Sequence, residues 1–375
     1  MATLAEDHVV VQRILDHIDR RTTDLAPACW REPVASYTSG GRFAAELTRV
    51  LRRAPTPFCP SVALPAPGAW VARVAAGTPI LAVRGTDGVA RAFRNACRHR
   101  GTLLVEGAGC AKAFVCRYHG WTYDLDGALR GVPHAHGFPD LDVRTRGLVP
   151  VAAVERRGLV FVTQDAPPLD ADLDALPPLL SPELGLVAPA MEVDVPANWK
   201  IVVEGFLEGY HIRSTHAATF YPVQYDNLNV VETFGPHNRI AFPYRRIEKL
   251  RGVPAATRTA DGVLTYVYHL FPNAIVATFP TNVVVVVVEP RAIDRTCLVT
   301  WVLAAEHALD CDGKAALARA GDFVRAGALE DQAVACAVQR GLASGANDAF
   351  EFGRFEGAIA HFHRTLHAAL EGAPS

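Results

Sequence analysis

Two short stretches, NACRHRGTLL at residues 95–104 and CRYHGWTYDLDGAL at residues 116–129, decide how the first half of the chain folds. Each stretch places a cysteine two or three residues before a histidine, and the four side chains are Cys97, His99, Cys116 and His119. Thiolates and imidazoles are the groups that bind iron or zinc in proteins. Because sixteen residues separate the two pairs, the tips of two hairpins can bring all four to one site.

The surrounding sequence, from Trp70 to Val162, has the texture of a small all-β domain. Short alternating apolar segments are separated by turn residues, and Asp87-Gly88 and Asp126-Gly127 are dipeptides typical of hairpin turns. We predict that this β domain covers residues 45–165.

Two kinds of metal site fit the four ligands. A structural zinc finger usually pairs cysteine with cysteine and histidine with histidine, whereas here each arm supplies one of each. That alternation suits a [2Fe–2S] cluster in which one iron takes both thiolates and the other takes both imidazoles. Cys110 lies between the arms, and we interpret it as a loop thiol rather than a fifth ligand.

The rest of the chain mixes helices and strands, which predicts an α+β domain with an antiparallel sheet over residues 166–375. Residues 1–44 form a helical segment that we expect to pack on this domain, and 165–190 a linker or covering segment. The patterns predict helices at about 41–53, 201–211, 312–343 and 353–370, and strands at about 238–248, 262–270, 274–279 and 283–290.

A second cluster of metal-binding residue types lies in ANWKIVVEGFLEGYHIRSTH, residues 197–216. On a helix, Glu208 and His211 are three residues apart and share a face. His216 follows five residues later, so it needs a helix end or a bend to rejoin that face. Histidines near a helix end commonly hold a divalent metal; the alternative is a solvated polar helix face.

Taken together, the two constellations resemble the Rieske non-haem iron oxygenase family. The first matches its C-x-H-(x15–17)-C-x2-H motif, and the second its N-W-K and (D/E)-x2-H-x4-H elements. ALEDQAVACAVQRGLAS, residues 328–344, resembles its late E-D-x7-Q-x-G-L element. The resemblance extends to aromatic ring-hydroxylating dioxygenase alpha subunits and to carnitine- and choline-type monooxygenases. It implies an all-β Rieske domain joined to an α+β catalytic domain of the helix-grip, START-like type.

The resemblance also implies a role for each site residue. Cys97 and Cys116 would bind one iron of the [2Fe–2S] cluster, and His99 and His119 the other. A mononuclear Fe(II) would be held by His211, His216 and Asp331, a facial triad that leaves positions open. Glu208 would bridge His119 of one subunit to His211 of the next for electron transfer, and Glu330 would be a solvent-facing neighbour of Asp331.

The function that the resemblance implies is O2-dependent hydroxylation of a small organic substrate, aromatic or otherwise hydrophobic. Electrons would come from NAD(P)H through a separate reductase or ferredoxin, since no G-x-G-x-x-G element opens a βαβ unit here. The family also implies a homotrimer. The net charge of −2 and the absence of a basic block argue against nucleic acid or a membrane as partner, and without a secretory signal we expect a cytoplasmic enzyme.

Other interpretations remain open at this point. A Rieske monooxygenase or demethylase would act on an O-methyl, N-methyl or quaternary amine substrate. Outside the oxygenases, a non-catalytic Rieske electron carrier would need only the first site, and a zinc-stabilised interaction protein would hold no iron. The motifs do not distinguish one from two inserted oxygen atoms, or identify the substrate, the reductase, the oligomer number or a beta subunit.

Two further groups of residues carry expectations. His361 and His363, near the C-terminus, are interpreted as helix-packing residues rather than ligands. Candidates for the walls of a substrate pocket, of which we expect at most half to contribute, are Phe206, Leu207, Phe220, Leu228, Phe279, Val284, Val286, Phe350 and Phe352.

Overall fold

The computed structural model describes residues 4–165, 173, 176–305 and 311–372. The chain forms two compact units: a larger unit of residues 1–51 and 183–375, and a smaller unit of residues 52–182. These two units do not test the domain limits that we predicted at 44/45 and 165/166, so those limits stay a prediction. Part of the predicted covering segment at 165–190 lies outside the described residues.

The larger unit begins with helices at the N-terminus. Its first elements are α1 (Asp7–Arg20), β1 (Trp30–Pro33), α2 (Ala35–Thr38), α3 (Gly40–Ala45) and a π-helix (Glu46–Leu51). The apolar stripe of α1 is buried and packs against other elements of the same unit, as expected for an amphipathic surface helix.

The described residues of the smaller unit up to residue 165 form a β structure with short 3₁₀ turns, as the sequence predicted. Its strands are β2 (Thr56–Pro60), β3 (Ala69–Ala75), β4 (Thr78–Arg84), β5 (Ala90–Arg94), β6 (Gly107–Cys110), β7 (Phe114–Val115), β8 (Thr122–Tyr123), β9 (Leu129–Gly131), β10 (Pro150–Arg156) and β11 (Leu159–Thr163). Seven of them form one sheet in the order β2-β11-β10-β5-β4-β3-β6, and β7-β8-β9 form a second. Leu81, Phe93 and Trp121 belong to a buried core that also contains Cys97 and Cys116, so packing fixes the cysteine loops.

The larger unit continues with an antiparallel sheet and four more helices. The strands are β12 (Leu184–Leu186), β13 (Met191–Val195), β14 (Val230–Phe234), β15 (His237–Pro243), β16 (Leu264–Leu270), β17 (Ala274–Thr278), β18 (Val283–Ala292), β19 (Arg295–Ala305) and β20 (Ala349–Phe352). The helices are α4 (Trp199–Gly205), α5 (Ile212–Thr215), α6 (Cys311–Leu342) and α7 (Gly357–Glu371). The strand order of the main sheet is β12-β19-β18-β17-β16-β15-β14, and β13 also pairs with β19. A separate two-stranded sheet is formed by β1 and β20.

This sheet confirms the predicted α+β class and corrects two details. The valine run of β18 is buried between β17 and β19, as a β-branched strand in the middle of a sheet should be. The predicted strand at 238–248 was too long, because β15 ends at Pro243 and a 3₁₀ segment follows at Arg245–Gly252. The pattern also missed β19, whose pairing with β13 and β18 is long-range. Among the described residues, no helix is both long and apolar enough to cross a lipid bilayer.

Candidate metal centres

The two Cys/His stretches of the smaller unit form matching turns. The N–H of Gly101 donates to the carbonyl of Cys97, and the N–H of Gly120 donates to the carbonyl of Cys116, both at 2.9 Å. Both glycines have positive φ, +79° and +75°, a conformation that favours glycine. The glycine after each Cys/His pair is therefore required by the turn that presents the ligands.

The four side chains converge as predicted. Both cysteines are buried, at 3% and 2% exposure, while the rings of His99 and His119 lie 4.7 Å apart. Trp121 stacks on His99 with centroids 4.9 Å apart, which holds that imidazole in place. The structure leaves Cys110 exposed on β6, paired with β3.

The two arms together offer two thiolates and two imidazoles, the donor set of a [2Fe–2S] cluster in which one iron takes the thiolates and the other takes the imidazoles.

The second candidate centre lies in the larger unit and begins at the N-terminus of α4. The side chain of Asn198 accepts a hydrogen bond from the N–H of Lys200 at 3.0 Å and so caps the helix. The backbone N–H of Asn198 donates to the side chain of Gln339 at 2.8 Å. This bond ties α4 to α6, the helix that carries Asp331.

The chain between α4 and α5 is not the continuous helix that we predicted over 201–211. α4 ends at Gly205, and His211 stands at the N-terminus of α5. Glu208 accepts hydrogen bonds from the backbone N–H groups of Tyr210 and His211, and its carboxylate also contacts Nδ1 of His211. A loop wrapped around one carboxylate, rather than a shared helix face, brings Glu208 and His211 together.

The three predicted iron ligands meet at one point. Nε2 of His216 lies 2.9 Å from Oδ1 of Asp331, and Nε2 of His211 lies 3.4 Å from the same oxygen. The two rings are 5.0 Å apart. Two imidazole nitrogens and one carboxylate on one side of a metal are the donor set of oxygen-activating non-haem iron.

A carboxylate occupies the other nitrogen of each imidazole. Glu208 contacts Nδ1 of His211, and Glu330 lies 2.7 Å from Nδ1 of His216. Glu330 also accepts a hydrogen bond from the hydroxyl of Thr219 at 2.6 Å. Glu330, which we expected to be a solvent-facing neighbour of Asp331, keeps 31% of its side chain exposed and in addition contacts His216. Its carboxylate orients His216, as outer carboxylates do around metal-binding histidines.

The electrostatics of this site favour a bound cation. Burial lowers the pKa of His211, but hydrogen bonds to Asp331 and Glu208 outweigh it and raise that pKa to about 10. Burial raises the pKa of Asp331, yet hydrogen bonds to His211 and His216 bring it below its usual value. Without a metal, these carboxylates and imidazoles share protons in their hydrogen bonds. A divalent metal can take the place of those protons.

A cavity of about 480 Å³ opens beside this centre within the larger unit. Its walls include His211 and Asp331 together with the carboxylates of Glu204, Glu208 and Glu356. Three of the nine predicted wall residues line it: Phe206, Phe350 and Phe352. Phe220 packs on the ring of His216 at 4.7 Å instead, and Leu207, Leu228, Val284 and Val286 are core residues.

The sequence reasoning missed two carboxylates at this centre. Glu330 was assigned to solvent, and Glu204 received no role although it lies seven residues before His211. Glu204 accepts a hydrogen bond from the hydroxyl of Tyr37 at 2.7 Å and lies 2.8 Å from Nε2 of His363. Both partners are distant in sequence, so local spacing carried no signal for Glu204.

Comparison with protein families assigns both units of the chain. Residues 54–148 match the family described as Rieske [2Fe-2S] domain, and residues 185–372 match the family described as ring hydroxylating alpha subunit (catalytic domain). The second match covers half of the chain.

Individual proteins resemble the chain over shorter stretches. The carnitine monooxygenase oxygenase subunit of Acinetobacter baumannii is 32% identical over 208 residues, 52% of this chain and 55% of that protein. The large oxygenase component of the naphthalene 1,2-dioxygenase system of Pseudomonas putida is 41% identical over 169 residues, 42% of this chain and 38% of that protein. The chain thus spans about half the length, or less, of the curated relatives that it matches.

Solved structures share the fold along nearly the whole chain. A quaternary ammonium Rieske monooxygenase in complex with L-carnitine superposes with a TM-score of 0.76 at 23% identity, covering 98% of this chain and 99% of that one. Naphthalene 1,2-dioxygenase with indole bound gives a TM-score of 0.75 at 23% identity, covering 91% and 92%. At this identity the likeness establishes the fold alone.

Proposed function

This chain belongs to the family of ring-hydroxylating alpha subunits, and from that premise we propose that it is the oxygenase component of a Rieske system. It would use O2 and NAD(P)H-derived electrons to hydroxylate a small organic substrate. The observation that carries the proposal is the convergence of His211, His216 and Asp331 beside a cavity, in a chain that also holds a Rieske domain. A non-catalytic electron carrier has no use for that second centre.

The chain's own residues have defined tasks in this proposal. Cys97, His99, Cys116 and His119 would hold the cluster, and His211, His216 and Asp331 the mononuclear iron. When bound, the cluster stores an electron and the iron activates O2. Glu208 and Glu330 occupy the Nδ1 atoms of the two histidines, so the Nε2 atoms are the ones available to the metal.

The proposed partners follow from the absence of a nucleotide-binding motif and from the family. A separate reductase, directly or through a ferredoxin, would supply electrons to a homotrimer, and Glu208 would connect the two centres across a subunit boundary. Glu208→Gln keeps the size of the side chain but removes its charge. Assayed with saturating Fe(II), so that both metals stay bound, the variant should turn over about 10- to 100-fold more slowly; unchanged turnover would remove Glu208 from the electron path.

Iron counting and product analysis test the proposed function. Fully loaded protein should contain about three iron atoms per chain, two in the cluster and one beside it, and should give a Rieske EPR signal after reduction. With a surrogate reductase, a panel of aromatic acids and methylated amines should yield a hydroxylated product. About two irons per chain and no product would instead indicate an electron carrier.

A second candidate within the same enzyme class is oxidation of an organic cation, and the cavity supports it. Among the described residues, five acidic residues and no lysine or arginine line the cavity, the five being Glu204, Glu208, Asp331, Glu351 and Glu356. The carboxylate of Glu351 is exposed and pairs with Arg31 at 2.8 Å, so four of the five lack an arginine partner of this kind within the described part of the chain. Burial and the nearby Glu208 and Glu204 raise the pKa of Glu356 to about 7. Phenylalanine faces in the same walls can attract a quaternary ammonium group, and relatives named carnitine monooxygenase agree with this candidate.

A matched pair of ligands separates the two substrate classes. A trimethylammonium compound and its neutral tert-butyl isostere have nearly the same shape and differ in charge. An organic-cation enzyme binds the ammonium compound more tightly and releases formaldehyde if it demethylates. Equal or weaker binding of the ammonium compound would leave the hydrophobic substrate as the better candidate.

A further inference from the structure

Four side chains, Glu204, His363, Glu32 and His367, form a row that leads away from the cavity through the larger unit. Nε2 of His363 lies 2.8 Å from the carboxylate of Glu204, and Nδ1 of the same ring lies 3.5 Å from the carboxylate of Glu32. The other oxygen of Glu32 lies 3.0 Å from Nε2 of His367. Carboxylate and imidazole alternate, so each can accept a proton on one side and release one on the other.

One end of this row lies at the cavity and the other lies at the protein surface. Glu204 lines the cavity that also contains His211 and Asp331. His367, at the other end, has 33% of its side chain exposed. Between them, Glu32 and His363 are fully buried, and Nδ1 of His363 has no hydrogen-bond partner among the described residues other than the Glu32 carboxylate it faces.

The stability of the core does not by itself explain why acids and histidines are buried in this row. Buried acidic and basic groups lose their hydration, and well-packed apolar residues of similar volume are often as stabilising or more so. Four such groups in one row, from cavity to surface, therefore suggest a task that apolar residues cannot perform. Tyr37 and Trp30 support the row by donating hydrogen bonds to Glu204 at 2.7 Å and to Glu32 at 3.0 Å.

We propose that His367, Glu32, His363 and Glu204 form a proton relay that carries protons from solvent to the cavity beside the candidate iron site. This inference rests on the proposed oxygenase function, because that reaction consumes protons. In the monooxygenase case the balance is RH + O2 + NAD(P)H + H⁺ → ROH + NAD(P)⁺ + H2O. One C–H bond becomes C–O–H, and the second oxygen atom leaves as water with the protons delivered to it.

Each step of the relay moves one proton between two neighbouring atoms. Glu204 releases a proton into the cavity and regains one from Nε2 of His363. His363 is replenished at Nδ1 by Glu32, across the widest gap, 3.5 Å, which must shorten for transfer. Glu32 is replenished in turn by Nε2 of His367, whose ring reaches solvent.

Glu32 is ionised at neutral pH. Burial raises its pKa, but the hydrogen bond from His367 and the charge of His363 lower it to about 2. A carboxylate between two imidazoles can accept a proton from one ring at one oxygen and pass a proton to the other ring from the second oxygen.

The principal test compares His363→Gln with His361→Gln in the iron-loaded enzyme. His363→Gln interrupts the row, whereas His361→Gln changes a histidine of the same helix that lies outside the row. We expect His363→Gln to lower kcat at least about 10-fold, with KM unchanged and a larger solvent isotope effect in D2O. His361→Gln should keep both values. Equal effects of the two variants, or none from His363→Gln, would overturn the relay.

Chemical rescue gives a second test at the surface end of the row, where His367 is partly exposed. His367→Ala should lose turnover that free imidazole in the buffer restores in proportion to its concentration, while wild type and His361→Gln gain nothing. A loss that imidazole does not restore would contradict entry of protons at His367.

A readout independent of turnover comes from ¹⁵N NMR of the histidine rings in the metal-free protein. Because Glu32 faces both His363 and His367, Glu32→Gln should change the titration of both rings together. Separate, unlinked changes would contradict the connection. A wild-type protein that forms no product contradicts the proposed function, whereas an active wild type with an unaffected His363→Gln contradicts the relay alone.

Discussion

The two candidate metal centres are built in opposite ways. The candidate cluster site takes all its proposed ligands from residues 97–119 and presents them on two matching turns of one β structure. The iron site joins a loop that contains His211 and His216 to Asp331 on α6, more than a hundred residues later. One site is local in sequence, and the other exists only after the larger unit has folded.

The surroundings of the two sites differ as well. The cysteines are held mainly by apolar packing and by backbone turns. The iron-site histidines are held by carboxylates, one on each Nδ1. A site assembled from distant residues needs such side-chain supports, because no single turn fixes its geometry. We therefore expect the two centres to fail independently, and in different ways, when single residues are changed.

The sharpest test of that independence is Asp331→Ala. Removing the carboxylate ligand should release the mononuclear iron and lower turnover by more than about 100-fold. Mutating a residue that only hydrogen-bonds to a metal ligand already lowers metal affinity or activity about 10- to 100-fold. The cluster's EPR signal should remain. Asp322→Ala is the matched control on the same helix, because Asp322 pairs with exposed Arg325 at 2.9 Å. Loss of cluster colour in Asp331→Ala would mean that the two centres are not separate.

Cys116→Ser tests the same comparison from the other side. Serine cannot replace the thiolate at a buried iron ligand, so the Rieske EPR signal should disappear while about one iron per chain stays at the histidine–carboxylate site. Turnover should also be lost, because the electron store is gone. Cys110→Ser, at an exposed cysteine of the same unit, should change none of these values; a changed spectrum would give Cys110 a role at the cluster.

The local site could be predicted almost completely from the sequence, and the distant one only in part. Spacing, ligand type and the following glycine all lie within the two hairpin stretches, so local turn rules apply to them. His211, His216 and Asp331 required the family resemblance to be linked. Glu330 and Asp331 are consecutive on α6, and the rotation of this helix against α4 decides which of them faces the metal site. The sequence did not reveal the role of Glu330.

The errors in the fold have the same origin. The segment after Gly205 was predicted as part of a helix over 201–211, but hydrogen bonds from its backbone to the Glu208 side chain compete with helix formation. Likewise, His363 was interpreted as a packing residue. It is buried in a helix as predicted, yet its partners Glu204 and Glu32 lie far away in the sequence, and only the folded chain reveals them.

Glu330→Gln measures how much the distant site depends on its carboxylate support. The amide can still accept a hydrogen bond but no longer stabilises the imidazole with a full charge. We expect iron affinity to fall about 10- to 100-fold, measured by competition with a chelator, with the cluster unaffected. Thr219→Val, which removes only the hydroxyl that donates to Glu330, should have a smaller effect in the same direction. Equal affinity in wild type and Glu330→Gln would leave loop geometry alone as the support.

The smallest expected effect is at the local site, where one hydrogen bond reaches a ligand sulfur. The backbone N–H of Arg98 donates to the phenol oxygen of Tyr123 at 2.8 Å, so the phenol proton can point to Sγ of Cys97 at 3.3 Å. A donor to sulfur stabilises the reduced cluster, and a bond of about 1 kcal/mol corresponds to about 40 mV for one electron. Tyr123→Phe should lower the reduction potential by about that amount in protein-film voltammetry, with cluster content unchanged. A loss of cluster instead would show that the local site also depends on side-chain support, which would weaken the contrast between the two centres.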